Sequence, residues 1–380
     1  MAMIIGLLLA GLWPFEFSPR NRASWIPEGN GLYFGGQKRF WIHSVGSLAY
    51  SRPLTVSSAW PPAKKGEWTI AIEVRPANSE TDGIPHFLSM TNKSGEEILY
   101  LGQWKTSLIM GWSGSRQESP GRHRNIIVGE ALSAERARRL TITSDQTGTA
   151  IYVDGALAKR FPEAIVRGEE DTLRGCRIML GNSPSGRSPW TGTILALALF
   201  ERSLTKRQVP RTGESPGDES KDFDVPSAGG MASFNFRGGE TSLRIDLSGN
   251  GNAFVIPARI VFEKRLLAWP GFAEHNSVSM AEDIVANLLG FVPLGFFFSL
   301  WLFKFPGWKP RRAYALVILL GGFISLGIET TQAFMPARDS SLLDLLGNIS
   351  GTLMGVLIFH LLHGSAAARA RGRETSIPDH

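Results

Sequence analysis

Three apolar runs in the last hundred positions restrict what this chain can become more than any other feature. Ile284 to Phe303 carries no charged residue over about 20 positions, which at roughly 1.5 Å per residue covers the roughly 30 Å hydrocarbon core of a bilayer. Ala313 to Thr331 and Leu342 to Leu362 follow, each too long and too uniformly apolar for an amphipathic surface helix. A shorter run, Met3 to Phe17, reads either as a signal peptide or as a further helix. No Lys or Arg precedes it, and Trp13-Pro14-Phe15-Glu16-Phe17 is bulky where a signal peptidase needs small residues, so the sequence favours an uncleaved helix. The expectation is an all-α bundle of four transmembrane helices.

Basic residues set its orientation. Lys304, Lys309, Arg311 and Arg312 lie between the second and third helices, and Arg369, Arg371 and Arg373 follow the fourth. Positive loops stay in the cytoplasm. The C-terminus is therefore expected inside, and the long segment between the first two helices outside, although Arg20 and Arg22 oppose this slightly. The resulting divisions are 1–18 for the first helix, 24–270 for an extracytoplasmic domain, 281–365 for the remaining three helices and 366–380 for a cytoplasmic tail.

Polar residues cluster towards the outer ends of these helices. Asp283 and Asn287 open the second, Glu329 and Gln332 close the third, Asp344 and Asn348 open the fourth, and Arg338 and Asp339 occupy the outer loop. Spacings of three and four place each pair on one helix face. Asp283 and Asp344 are equally well explained as N-caps. Glu329 is not, because an acid near a helix C-terminus opposes the macrodipole and an unpartnered carboxylate in lipid is costly. Gly347, Gly351 and Gly355 recur along one face of the last helix and read as a packing seam.

The inserted segment has a period near two. Trp68, Ile70, Ile72 and Val74 alternate with Thr69, Ala71 and Glu73, and Leu195, Leu197 and Leu199 with smaller residues, as half-buried strands do. Asp154-Gly155 between Ala150–Val153 and Ala156–Ala158 marks a tight hairpin. Arg211 to Gly230 reads as an exposed loop, with strand signal resuming at Phe234 and Phe236. A single cysteine, Cys176, excludes an intrachain disulfide and a cysteine metal cluster. The net charge of +6 comes with no aromatic-interleaved basic patches, and several of the basic residues flank apolar runs, so nucleic acid is not an expected partner.

Two sets of residues carry a family resemblance. Leu12-Trp13-Pro14-Phe15, Asp283-x3-Asn287-Leu-Leu-Gly-Phe-Val-Pro-Leu-Gly295, Glu329-x2-Gln332-x3-Pro336-x-Arg338 and Asp344-x3-Asn348-x2-Gly351 resemble the VanZ-like family. That resemblance implies a small polytopic membrane protein of the bacterial inner membrane, linked to glycopeptide resistance and without a settled reaction. Trp68-Thr-Ile-Ala-Ile-Glu-Val-Arg-Pro76, Tyr152-Val-Asp-Gly155, Leu180-Gly-Asn182, Trp190-Thr-Gly192 and Asp246-x-Ser-Gly-Asn-Gly-Asn252 resemble the LamG-like, concanavalin A-like jelly roll. This implies an all-β two-sheet sandwich that binds carbohydrate or serves as a spacer. Trp41, Trp60, Trp104 and Trp112 are candidates for stacking on sugar rings, or for the core. Asp154 and Asn182 offer oxygen to Ca²⁺ but fall far short of its six to eight ligands, and turn roles suit them better.

Three functions stay open at this level. One is a cell-envelope membrane protein whose outer sandwich contacts glycan or an envelope protein partner, and whose membrane polar cluster engages a lipid-linked glycan or assembles with a partner. Another is an enzyme acting on a lipid-linked glycan with Glu329 and Asp344 as an acid/base pair, although no nucleophile or metal-ligand set accompanies them. The third is a passive anchor displaying the sandwich.

Overall fold

A computed structural model describes residues 2–26, 31–35, 45–55, 66–81, 83–113, 123–162, 164, 166, 173–209, 230–262, 266–269, 277–305, 309–336 and 338–374. The chain divides into two compact units, one of residues Met1–Phe17 with Glu263–His380 and one of residues Ser18–Phe262.

The unit 18–262 is a two-sheet sandwich. Its strands in chain order are β1 (Ser24–Trp25), β2 (Leu32–Phe34), β3 (Ala49–Ser51), β4 (Trp68–Pro76), β5 (His86–Thr91), β6 (Glu97–Trp104), β7 (Ser107–Ser113), β8 (His123–Val128), β9 (Arg138–Asp145), β10 (Gly148–Val153), β11 (Ala156–Phe161), β12 (Arg177–Leu180), β13 (Gly192–Phe200), β14 (Gly230–Asn235) and β15 (Phe254–Val255). Among the described residues one sheet has eight strands in the order β1-β2-β13-β4-β9-β10-β11, with β14 also on β13, and the other has seven in the order β15-β3-β12-β5-β6-β7-β8. Alternate residues from both sheets meet in one core, including Trp68, Ile70, Ile72 and Val74 of β4 and Leu99 and Leu101 of β6. The hairpin at Asp154-Gly155 joins β10 to β11, with both turn residues at positive φ, 52° and 81°, as a two-residue turn between twisted strands requires.

Several expectations change here. β4 and β13 are not half-buried: Ala71, Ala196, Ala198 and Phe200 on the far face are covered by Leu204 and Val209. Strand signal resumes at Gly230, and Phe236 opens a 3₁₀ turn with its ring fully buried. Residues 211–229 of the expected loop lie outside the described residues.

The other unit is helical: α1 (Ala2–Leu12), α2 (Ser277–Leu302), α3 (Pro310–Gln332) and α4 (Leu342–Glu374). Three stretches, Ile284–Leu302, Pro310–Gln332 and Leu342–His363, are long and apolar enough to cross a membrane. Pro310 sits in the first turn of α3, where its missing N–H costs nothing. α1 is shorter than the apolar run that contains it, 11 residues, because Pro14 disfavours helix at Trp13. Its Met3, Ile4, Leu7 and Leu12 pack on Phe291 and Leu294 of α2 and Ile328 of α3. α4 continues through the first part of the expected tail, to Glu374.

The seam between α2 and α4 is built on glycine. A Cβ added at Gly351 would run into the backbone carbonyl of Leu288, one at Gly355 into that of Val292, and one at Gly295 into that of Thr352. The backbones therefore touch, as small residues allow in lipid.

Candidate functional site

On the sandwich, the outward face of the seven-stranded sheet gathers the chemistry. Following the register from strand to strand, Val255, Tyr50, Met179, Ser89, Tyr100, Gly111 and Asn125 stand side by side in one row across all seven strands. Their chain neighbours Phe254, Ala49, Ile178, Leu88, Leu99, Met110 and Ile126 point the other way, into or against the core. Tyr50 and Asn125 are exposed, whereas Ser89 and Tyr100 between them are buried.

Tyr100 anchors the middle of this row. Its ring stacks on the imidazole of His86 with centroids 3.9 Å apart, and its hydroxyl donates to Asn125 Oδ1 at 3.0 Å. His86 Nδ1 lies 3.2 Å from Glu97 Oε1 and 3.3 Å from Ser89 Oγ. A side chain at Gly111 would collide with the Tyr100 ring, so glycine there lets the ring lie along the sheet. Burial, with the Glu97 carboxylate, pushes the Tyr100 phenol up to about 12.

Of the tryptophans singled out from the sequence, Trp41 and Trp60 lie outside the described residues. Trp104 ends β6 on the same strand face as Tyr100, four residues away and so about 13 Å along the strand. It is 47% exposed, with the Lys105 ammonium 5.7 Å from its ring centre. Trp112 is 5% exposed and belongs to the core, since it shares the inward side of β7 with Leu108 and Met110; the stacking role considered for it gives way to packing.

Asp154 and Asn182 serve their turns. Asp154 accepts from Arg138 Nη1 at 2.6 Å and from the Arg139 N–H at 3.0 Å, and Asn182 donates to Val45 O while accepting from the Ser183 N–H. Asp246, Asn250 and Asn252 form a polar clasp: Asp246 accepts from the N–H groups of Ser233 and Asn252, and the two asparagine amides donate to Met231 O. Among the described residues, no group of three or more His, Cys, Asp or Glu side chains is placed to hold a metal ion. Cys176 is buried, which pushes its thiol up to about 11 and makes it a poor nucleophile.

In the helical unit, α3 lines its inner face with Ser325, Glu329 and Gln332. Glu329 is 2% exposed, and its Oε2 accepts the Ser341 N–H at 2.8 Å. Ser341 precedes α4 and caps it through Oγ to the Leu343 N–H. The carboxyl misplaced at the end of its own helix is thus placed at the positive end of the next. Asp344 lies within electrostatic range of it. Asn348 is buried and donates through Nδ2 to Ser325 Oγ at 2.9 Å, one turn deeper. Asn287 faces α4 at Gly347, where a Cβ would stand 3.5 Å from its own. The backbone of Asp283 lies in the second turn of α2.

Gln332 and Arg338 turn towards α1. Gln332 Nε2 donates to Gly11 O at 2.8 Å, and Arg338 donates to Trp13 O at 2.9 Å and Ala10 O at 3.4 Å. They cap the C-terminal carbonyls of α1, a role the spacing of Arg338 to the carboxylates did not suggest. Asp339 is half-buried in the loop beside it.

The residues that sequence reasoning missed are Tyr50, His86, Ser89, Glu97, Tyr100 and Asn125 on the sheet, and Ser325 and Ser341 in the helices. The alternation Ile98, Tyr100, Gly102, Trp104 was a readable signal for one strand of the first group. Nothing local signals the rest.

Comparison with known proteins finds a separate family for each part of the chain, the first match beginning inside the sandwich unit. The VanZ/LLP1 family matches residues 242–363, and the concanavalin A-like lectin/glucanases superfamily matches residues 50–210. No curated relative matches the chain. Among solved structures, the chain is similar to the native heptameric SAP-like pentraxin of Limulus polyphemus, at 13% identity over 43% of this chain and 79% of that one, with a TM-score of 0.31. It is similar to the CBM40 of a Ruminococcus gnavus IT-sialidase bound to alpha2,3 sialyllactose, at 16% identity over 39% of this chain and 81% of that one, with a TM-score of 0.32. It is also similar to a Trypanosoma rangeli sialidase in complex with sialic acid, at 16% identity over 50% of this chain and 28% of that one, with a TM-score of 0.35.

Proposed function

We propose that this chain, which joins a VanZ/LLP1 membrane region to a concanavalin A-like domain, is an integral protein of the bacterial cell envelope whose sandwich takes glycan or lipid-linked glycan outside the cytoplasm. One observation carries the reading: exposed Trp104 and the Tyr100 group share the outward face of one sheet. Pyranose rings present apolar C–H faces to aromatics and hydroxyls to amides and carboxylates. Exposed Trp104 suits the first, and exposed Asn125 with half-buried Glu97, both held by the buried Tyr100 and His86 beneath, suit the second. The basic loop at Lys309, Arg311 and Arg312 supports a cytoplasmic side for that end of α3, and α1 completes a four-helix bundle with its N-terminus inside.

The test is binding of the purified full chain to a glycan array, followed by titration of any hit against Trp104→Ala and Tyr50→Ala. Loss of about tenfold or more in affinity for Trp104→Ala is expected from removing one stacked ring. A folded protein with no hit on the array, or a hit that both variants retain, returns the sandwich to the role of a displayed spacer.

A further inference from the structure

The membrane helices bury polar atoms that no described residue satisfies. Gln332 is 8% exposed and gives its amide N–H to Gly11, yet among the described residues its Oε1 meets no donor. Asn348 is 3% exposed and gives its amide to Ser325, yet its Oδ1 meets none of the described donors either. An amide oxygen stranded among apolar helices is costly, because no bulk water is at hand to satisfy it.

The two orphaned oxygens lie along one side of α3, Asn348 at Ser325 and Gln332 about two turns on, roughly 10 Å along the helix. Ser325, Glu329 and Gln332 follow one another along the inner face of α3, and Asn348 reaches that face at Ser325. Glu329 and Asp344 add carboxylates to the same turns. Arg338 directs its guanidinium to the carbonyls of Ala10 and Trp13. What this end of the bundle presents is therefore acceptors, which suit a head group that donates hydrogen bonds.

The surface flanking these turns is apolar. Val285 and Leu289 near Asn287 are 51% and 57% exposed, and Leu346, between Asp344 and Asn348, is 47% exposed. Such a rim favours acyl chains over a soluble ligand. We infer that the Glu329 end of the membrane helices binds a lipid whose head group donates hydrogen bonds to Gln332 and Asn348, through either a primary ammonium or hydroxyls. This site is separate from the sandwich and stands whether or not the sandwich binds glycan.

Native mass spectrometry of the full chain in detergent tests it, with phosphatidylethanolamine, phosphatidylglycerol and phosphatidylcholine of identical acyl chains added in turn. The first donates through ammonium, the second through hydroxyls, and the third has no head-group donor. Retention of one of the donor lipids about tenfold more tightly than phosphatidylcholine is expected, the size of effect a hydrogen bond to a buried acceptor gives. Which of the two is retained identifies the donor. Asn348→Leu and Gln332→Met should each erode that preference, while Asn348→Asp, which keeps an acceptor, should preserve it. If Asn348→Leu fails to fold, Gln332→Met carries the same test. Equal retention of all three lipids by the wild-type chain, or a preference that survives in every folded variant, overturns the proposal and leaves the orphaned oxygens to water alone.

Discussion

Substituting alanine for glycine along α4 should have opposite effects one turn apart. Gly347 and Gly351 lie on the same helix face, and from propensity alone either change should stabilise the helix by about 0.8 to 1 kcal/mol. Packing separates them. At Gly347 the new methyl stands at ordinary van der Waals distance, 3.5 Å from Asn287 Cβ, so the propensity gain survives. At Gly351 it meets the carbonyl oxygen of Leu288, a backbone atom that no rotamer change can move, and α2 and α4 must part. Overpacking costs about 1 to 3 kcal/mol, and a contact with rigid backbone belongs in the upper half of that range, about 2 to 3 kcal/mol, which outweighs the gain and leaves a net loss of about 1 to 2 kcal/mol. The two variants should thus differ by about 2 kcal/mol or more, with Gly355→Ala behaving like Gly351→Ala because it meets the Val292 carbonyl. Reversible unfolding of the purified chain in mixed SDS micelles, followed by circular dichroism, measures the difference directly. A Gly347→Ala variant as damaged as Gly351→Ala, or a neutral Gly351→Ala, would refute the backbone-contact argument.

Residues 18–262 expressed alone should give a soluble, β-rich circular dichroism spectrum, and in that domain Glu73→Ala should cost about 3 to 5 kcal/mol in urea unfolding, because it strips the carboxylate from Arg139, itself 6% exposed. Arg237→Ala should cost only about 1 kcal/mol, since Arg237 is 24% exposed and Glu73 keeps Arg139; equal losses would show that the pairing is not what matters. The Tyr100 phenol is raised from 10.0 to about 12 in the fold, so its stabilising contribution is complete below pH 10 and is lost as pH climbs through about 12. Tyr100→Phe should flatten that alkaline slope, and an unchanged slope would assign it to other groups. Compartment-specific reporters at Gly186 and at the C-terminus should be active outside and inside the cytoplasm respectively; activity on the same side for both would reject the topology.

The membrane-crossing helices were legible because length and hydropathy report them residue by residue, and the spans lie within a few positions of the apolar runs. The Asp154-Gly155 hairpin was legible for a similar reason, since positive φ at two successive residues selects its own residue types. The sheet face was not. Tyr50, Met179 and Ser89 are neighbours only through the pairings of β12 with β3 and β5, contacts between segments about a hundred residues apart that no local pattern encodes. Trp104 and Trp112 show the same limit in miniature: both are tryptophans of one hairpin, and only the register puts one outside and the other in the core. Nor did alternation in β4 reveal that its second face is covered, because Ala71 and Thr69 read as solvent-facing until Leu204 and Arg202 close over them.

Glu329 posed a problem in the sequence that the structure resolves by exchange between helices, and the exchange bears on function. An acid at the C-terminal end of α3 opposes that helix's dipole, but its oxygen is given to the N-terminus of α4 at Ser341. The C-terminus of α1 in turn receives the amide of Gln332 and the guanidinium of Arg338. Negative groups meet positive helix ends and donors meet negative ones, so Glu329, Arg338 and the N–H side of Gln332 are accounted for by holding helices together. What this logic does not use is the oxygen of Gln332 and that of Asn348. Leucine at 348 would fill similar volume with no stranded oxygen, so a purely structural bundle has only the bond to Ser325 as a reason to keep the amide. The two oxygens are therefore where a bound molecule has something to satisfy, and Asn348→Leu should make the empty bundle more stable even as it removes the lipid preference. A less stable Asn348→Leu protein without bound lipid would mean that the Ser325 bond, and not a ligand, is the reason the amide is there.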